Sequence, residues 1–350
     1  MQTILGLHHM SSIVKNPQEN LDYYASVLGM RFLLNTTNHE DKNMYHLYYG
    51  THDASGGIST YFPMQEAEEG LIGDGQVGHV TYAVRNLDFW KKRLDHFKID
   101  NYTYSRFNEH YLAFTDPHGL ELEFIEVDNG IQNEWEYNGV DKDNNIRGFH
   151  KAALYSKNPS ATQDLFTRIF GYTQTDEDEE YIRLTLNDSI IDLKKQRTED
   201  GVEGQGTVHH IALSIPNGSA EAWKKTLQKE GFLTTAVKDR FYFESLYFRE
   251  KGGITIELAT EGPGLIIDSE FVAPPHFKKE ELAIKNHLAP LELKEIDSLQ
   301  TYGYRNMYEY DILRRKNEIK DKIKELNALP QSEDTKQQLT QLKKDFVSIK

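Results

Sequence analysis

The chain has 350 residues, 38% of them hydrophobic and 27% charged, a composition able to bury a substantial core over roughly two to three domains. Its formal net charge of −15 repels phosphate backbones and anionic lipid, which argues against nucleic-acid and membrane-surface partners. With no cysteine there is no disulfide, zinc knuckle, thiolate cluster or thiol nucleophile; with no signal-like start or membrane-length apolar run, the expectation is a soluble cytoplasmic protein.

Taken in chain order, the sequence repeats one plan. A β-like start, Leu7-His8-His9-Met10, is followed by a helical stripe of Leu21, Tyr24, Ala25 and Leu28 ended by Gly29. The second start is Gly78-His79-Val80-Thr81-Tyr82, with Trp90 and Leu94 on its helix. Its tail, Tyr111 to Phe124 through Asp116-Pro117-His118-Gly119, reads as strand, turn, strand. Residues 131–145 look like a connector. The third start is Phe149-His150-Lys151-Ala152, with Leu165, Phe166, Ile169 and Phe170 ended by Gly171. After a second connector at 196–206 comes Val208-His209-His210-Ile211-Ala212, then Trp223 with Leu227, and a tail from Leu246 to Leu258 through Gly252-Gly253. Apolar residues three and four apart followed by glycine fit a helix closed by a left-handed cap.

The plan is β-α-β-β-β four times, with His9, His79, His150 and His210 spaced 70, 71 and 60 residues apart. One such unit leaves an open, concave sheet, so units must pair. The expectation is an α+β fold of four βαβββ modules forming two open, cupped mixed sheets. Modules one and two occupy 1–130 and three and four 146–262, with one pairing four and two pairing three in space. A C-terminal segment, 266–350, opens extended around Pro274, Pro275 and Pro290. From about Asn306 it turns helical, with Ile312, Ile319, Ile323 and Leu326 in a stripe. After a break at Pro330, Ser332 or Thr335 caps a restart carrying Leu339, Leu342 and Phe346. Packing of this hairpin on the body is the plain expectation, and a homo-oligomer contact the sharper one.

Strand side chains alternate, so Glu257 faces opposite Ile254 and Ile256, and Glu123 opposite Leu120 and Leu122. His210 precedes Glu257 by 47 residues and His79 precedes Glu123 by 44, each pair spanning the first and last strands of one module. A histidine from the paired module completes a two-histidine, one-carboxylate set, which suits Fe(II) or a similar divalent ion and leaves positions open. Two triads are available: His9, His210 and Glu257, or His79, Glu123 and His150. The first is favoured because Arg240 and Tyr247 precede Glu257, whereas Ala113 replaces the tyrosine before Glu123 although Arg106 keeps the arginine. On regular strands His8 and His209 point away from such a site unless a bulge redirects them.

These module starts and tails resemble the vicinal oxygen chelate superfamily, which includes glyoxalases and extradiol dioxygenases, over residues 4 to 260. Within it, Leu7-His8-His9-Met10-Ser11, Val208-His209-His210-Ile211-Ala212 and the Tyr247-to-Glu257 tail look most like ring-cleaving dioxygenases that act on hydroquinones. The resemblance implies Fe(II), or Mn(II) in its place, on His9, His210 and Glu257. It also implies that His8 and Ser11 meet the substrate, and that His209, Arg240 and Tyr247 serve catalysis. Ser11 stands where threonine is usual, His79 is unusual for the second module, and the charged tail is outside the family pattern. The implied function is ring cleavage of a hydroquinone- or catechol-like aromatic by dioxygen, in aromatic catabolism or quinone detoxification. A glyoxalase-type lyase or isomerase is the rival reading, although Gly57-Ile58-Ser59-Thr60-Tyr61 offers it no carboxylate. A non-catalytic small-molecule binder is the other.

Overall fold

The structure is a computed structural model describing residues 2–38, 41, 43–128, 130–265, 291–299, 319–320, 322–329 and 332–348. The chain divides into two units, Met1–Ile296 and Asp297–Lys350.

The first unit contains the four repeats. Module one is β1 (Gly6–Val14), α1 (Pro17–Leu21), β2 (Arg31–Thr37), β3 (Tyr45–Gly50) and β4 (Ile58–Pro63). Module two is β5 (Gln76–Val84), α2 (Leu87–His96), β6 (Asn101–Arg106), β7 (Glu109–Thr115) and β8 (Glu121–Glu126). Module three is β9 (Phe149–Tyr155), α3 (Pro159–Asp164), β10 (Thr173–Glu177), β11 (Tyr181–Leu186) and β12 (Ser189–Lys194). Module four is β13 (Thr207–Ile215), α4 (Ala220–Lys229), β14 (Lys238–Asp239), β15 (Glu244–Arg249) and β16 (Thr255–Thr260). They form two mixed eight-stranded sheets, ordered β14-β15-β16-β13-β1-β4-β3-β2 and β10-β11-β12-β9-β5-β8-β7-β6. Each sheet therefore joins two modules through their first strands, β1 against β13 and β5 against β9, both antiparallel.

The helical stripes bury as their spacing requires: Leu21, Tyr24, Ala25 and Leu28 in module one, Trp90 and Leu94 on α2, Trp223 and Leu227 on α4. In modules one and three the helix widens into π turns, Asp22–Val27 and Leu165–Ile169, a feature that periodicity does not reveal. Gly29 and Gly171 follow with φ of 65° and 84°, the left-handed closure that their position predicts. Asn16 caps α1, accepting from the Gln18 and Glu19 amides at 2.9 and 3.1 Å. Asn16→Ala should cost about 1 kcal/mol of stability, read as a lowered urea midpoint; an unchanged midpoint would mean the cap contributes nothing.

Residues 291–296, grouped by composition with the C-terminal extension, belong to the first unit: Ser26 Oγ donates to the Lys294 carbonyl at 2.6 Å and Asn138 Nδ2 to that of Ile296 at 2.8 Å. In the second unit, residues 322–327 and Glu333–Ser348 are helical, Ser332 Oγ accepts from the Thr335 amide at 3.1 Å, and Ile323, Leu339 and Phe346 are buried. The prolines expected to shape this segment and the helix start near Asn306 with Ile312 lie outside the described residues. Among the described residues no helix is long and apolar enough to cross a membrane.

Candidate metal centre and its cavity

The two doubled histidines sit on the seam where β1 meets β13. The register runs Leu7↔Leu213 then His9↔Ala212, and Ser11↔His210 then Ser12↔Val208. His8 and His209 are thus the extra residues of two β-bulges, one on each strand. A bulge re-aims side chains that a regular strand would send to opposite faces. Glu257 arrives from β16, parallel to β13 and directly beside Ala212. Tyr247 lies opposite Glu257 on β15.

These registers bring three buried side chains to one point. His9 Nε2 and His210 Nε2 lie 2.8 and 2.9 Å from Glu257 Oε2 and 3.2 Å from each other. Among the described residues this is the one cluster of three or more histidine or acidic side chains compact enough to hold an ion. Three ligand atoms set ~2.1 Å from a common centre at right angles are about 3.0 Å apart, which matches this triangle. The hydrogen-bonding pattern agrees. Both Glu257 oxygens are buried, and neither has a partner of hydrogen-bond geometry among the described residues, although two imidazole nitrogens are so near. Lone pairs directed at a shared centre, not at each other, account for that. The residues fit a divalent ion.

Electrostatics prepares the same state. Burial lowers the His210 pKa to about 4, so its imidazole is neutral and able to donate a lone pair. Burial alone would raise the Glu257 carboxyl, but His9 and His210 outweigh it and hold the group well below the usual range, as carboxylate.

The extra histidines back the ligands. His8 Nδ1 is 2.8 Å from His9 Nδ1, and His209 Nδ1 is 2.8 Å from His210 Nδ1. With Nε2 of each ligand facing the centre, its Nδ1–H donates to the neighbouring histidine, which fixes tautomer and ring angle. Burial, then His9, lowers the His8 pKa to about 3, leaving it a neutral acceptor. His8, expected at the substrate, is not among the residues lining the cavity described below. Its bulge places it behind His9, with its ring 5.0 Å from that of Phe243.

A cavity of about 420 Å³ opens over the triangle. His9, Ser11, His209, His210, Arg240 and Tyr247 all line it. The lining from β3, β4 and the residues that flank them is largely apolar and aromatic, with Met44, His46, Tyr48, Phe62 and Met64. Module four adds Lys238, Arg240, Phe243 and Tyr247 from β14, β15 and the turn between them. Ser11 Oγ sits 2.6 Å from Thr60 Oγ1, so Thr60 occupies the place where a second carboxylate would enter. Burial, then the Glu257 charge, pushes the Tyr247 phenol above its ordinary value. The Arg240 guanidinium lies 5.6 Å from the Tyr247 ring centre.

The second sheet has the same seam with different contents. Its register runs Val77↔Leu154 then His79↔Ala153, and Thr81↔Lys151 then Tyr82↔Phe149. Matching the bulges, His79 takes the place of His210, His150 that of His8, and Lys151 that of His9. The alternative triad therefore does not form: the expected ligand His150 is the bulged residue, and a buried lysine stands at the ligand position. Glu123 is engaged by Thr81 Oγ1 at 2.8 Å and Arg106 at 3.2 Å, and Tyr104 also donates to it. Arg106 also bonds Asp192 at 3.0 Å, Arg183 meets Asp192 at 2.7 Å, and Lys151 Nζ meets Glu109 at 2.6 Å. Fixed cations supply here the positive charge that an ion would supply in the first cup. The lysine was legible from aligning Gly6-Leu7-His8-His9 with Gly148-Phe149-His150-Lys151.

The sequence profile described as "Glyoxalase/Bleomycin resistance protein/Dioxygenase superfamily" matches residues 6–124 and 148–258. The chain belongs to this superfamily. It is 38% identical over 307 residues to the Bacillus subtilis (strain 168) protein named "Putative ring-cleaving dioxygenase MhqO", covering 84% of this chain and 98% of that one. The chlorohydroquinone/hydroquinone 1,2-dioxygenase of Sphingobium indicum is 30% identical over 275 residues, 73% of this chain and 85% of that one. A crystal structure titled as a putative dioxygenase from Bacillus subtilis superposes with a TM-score of 0.79 at 37% identity, covering 85% of this chain and all of that one. Glyoxalase I from Zea mays shares the fold alone, at a TM-score of 0.56 and 13% identity, with 74% and 92% covered. The modules of this superfamily member are thus the four repeats, two to a cup.

Proposed function

We propose that this superfamily member is an Fe(II)-dependent dioxygenase that cleaves the ring of hydroquinone- or catechol-like aromatics in the cytoplasm. The observation that carries the reading is the triangle of His9, His210 and Glu257 at the floor of a cavity with an aromatic wall. The names of its relatives support the same chemistry. When bound there, a divalent iron supplies Lewis acidity toward the diol oxygens and the redox capacity to engage dioxygen.

The chain's own residues do the rest. Phe62, Met44 and Met64 hold the ring by its apolar face and exclude water from the reacting edge. Tyr247 keeps its proton and offers a hydrogen bond to a diol oxygen beside Glu257. Arg240 faces the same edge and stabilises negative charge as it develops there. His209, whose Nδ1 lies 2.8 Å from His210 Nδ1, turns its other edge to the cavity wall, where its Nε2 can hydrogen-bond an oxygen of the substrate. Ser11 and Thr60 form the polar floor under the ring.

The test is anaerobic loading with Fe(II), followed by oxygen uptake with a panel of hydroquinones and catechols. The reading expects one dioxygen consumed per diol opened. No uptake with any diol, alongside turnover of a thiol hemiacetal, overturns it in favour of a lyase. Tyr247→Phe should retain the ion and lower kcat by about 10²–10⁴-fold with little change in diol affinity; loss confined to KM would make Tyr247 a binding group only.

A further inference from the structure

We propose that the Ser11–Thr60 hydroxyl pair is the dioxygen-binding end of the cavity, opposite the Glu257 end that receives the diol. The proposal rests on the dioxygenase reading of the same cavity and gives its second substrate a place.

The seam between β1 and β13 relates modules one and four by an approximate twofold axis. Met10 faces Ile211 across it, so His9 corresponds to His210 and Ser11 to Ala212. Ala212 lies beside Glu257, which faces Tyr247; Ser11 lies beside Thr60, which faces Tyr48. Thr60 therefore holds the place symmetric to that of Glu257. The second cup shows where this place aims. There Val80 faces Ala152 across the seam, and Ala153 lies beside Asp192, the counterpart of Thr60. Asp192 and Glu123 come close enough to share Arg106, at 3.0 and 3.2 Å. A side chain at the Thr60 position thus points at the centre of its cup.

In the first cup that position is short and uncharged. Ser11 and Thr60 are buried, line the cavity and set their hydroxyl oxygens 2.6 Å apart. Each hydroxyl carries one proton, and one of the two is spent between them. Neither oxygen has another partner among the described residues, so one O–H remains for a ligand. The two ends of the cavity then differ in kind. The Glu257 end has a carboxylate and the Tyr247 phenol, which suit a diol with protons to give. The Thr60 end has no charge and one spare donor, and threonine is smaller than glutamate by about two heavy atoms. That suits a neutral diatomic molecule lying between the polar floor and the ring, where the donor steadies the negative charge it gains as it takes electrons from the diol.

The experiment is anaerobic titration of the Fe(II)-loaded protein with nitric oxide, a diatomic stand-in for dioxygen, and separately with methylhydroquinone by calorimetry. Ser11→Ala/Thr60→Val removes both hydroxyls at nearly constant shape and strands no buried donor. It should weaken nitric oxide binding about tenfold and raise KM for dioxygen by a similar factor, with diol affinity and ion content unchanged. Thr60→Ser, which keeps the hydroxyl, should keep the wild-type nitric oxide affinity. An unchanged nitric oxide affinity in the double variant, or a loss that falls on the diol instead, overturns the proposal. Failure of the dioxygenase reading looks different: nitric oxide divides the variants as stated, yet the wild type consumes no dioxygen with any diol.

Discussion

Glu257→Gln is expected to strip the ion from the folded protein and abolish turnover, whereas Glu123→Gln should leave ion content at one per chain. The amide keeps the volume of the side chain but removes the charge that two neutral imidazoles cannot replace. Losing a residue that only orients a ligand costs about 10–100-fold in metal affinity, and losing the anionic ligand itself should exceed that. Metal analysis after gel filtration checks both variants. Ion loss from Glu123→Gln with retention by Glu257→Gln would move the centre to the second cup and overturn the assignment.

Arg106→Met should produce the largest loss of stability, about 3–5 kcal/mol. Arg106 is buried and serves two buried carboxylates, Glu123 and Asp192, neither of which reaches water. Removing the guanidinium takes the arginine from Glu123 and leaves Asp192 with Arg183 alone, in a medium that solvates carboxylates poorly. The pair of cups makes the comparison internal, because first-cup ion content should be unchanged in the folded variant. Urea unfolding gives the answer. A loss below about 1 kcal/mol would show that the network behaves like exposed ion pairs, and the view of the second cup as a charge-balanced core would be wrong.

Much of this was legible in the sequence because the repeat is strict. Histidine at the head of each module, the glycine closing two helices and the paired tails gave the β-α-β-β-β plan. The alternation around Glu257 gave its face. What escaped was what periodicity does not encode. The π turns after α1 and α3 preserve the apolar stripe while changing the hydrogen bonding beneath it. The bulges at His8 and His209 break the period of two locally, so strand alternation could not say which histidine of each pair meets Glu257. A corresponding bulge at His150 kept the second triad open as an alternative, because His150 resembles a ligand by residue type while Lys151 holds the ligand position. Cavity residues such as Lys238 and Phe243 come from a two-residue edge strand and the turn after it, and carry no spacing signal of their own.

Diffraction from an Fe(II)-loaded crystal, recorded at the iron absorption edge, tests the central claim most directly. One anomalous peak per chain is expected, about 2.0–2.2 Å from His9 Nε2, His210 Nε2 and a Glu257 oxygen. A peak beside His79 and Glu123, or none at the β1–β13 seam, would contradict it.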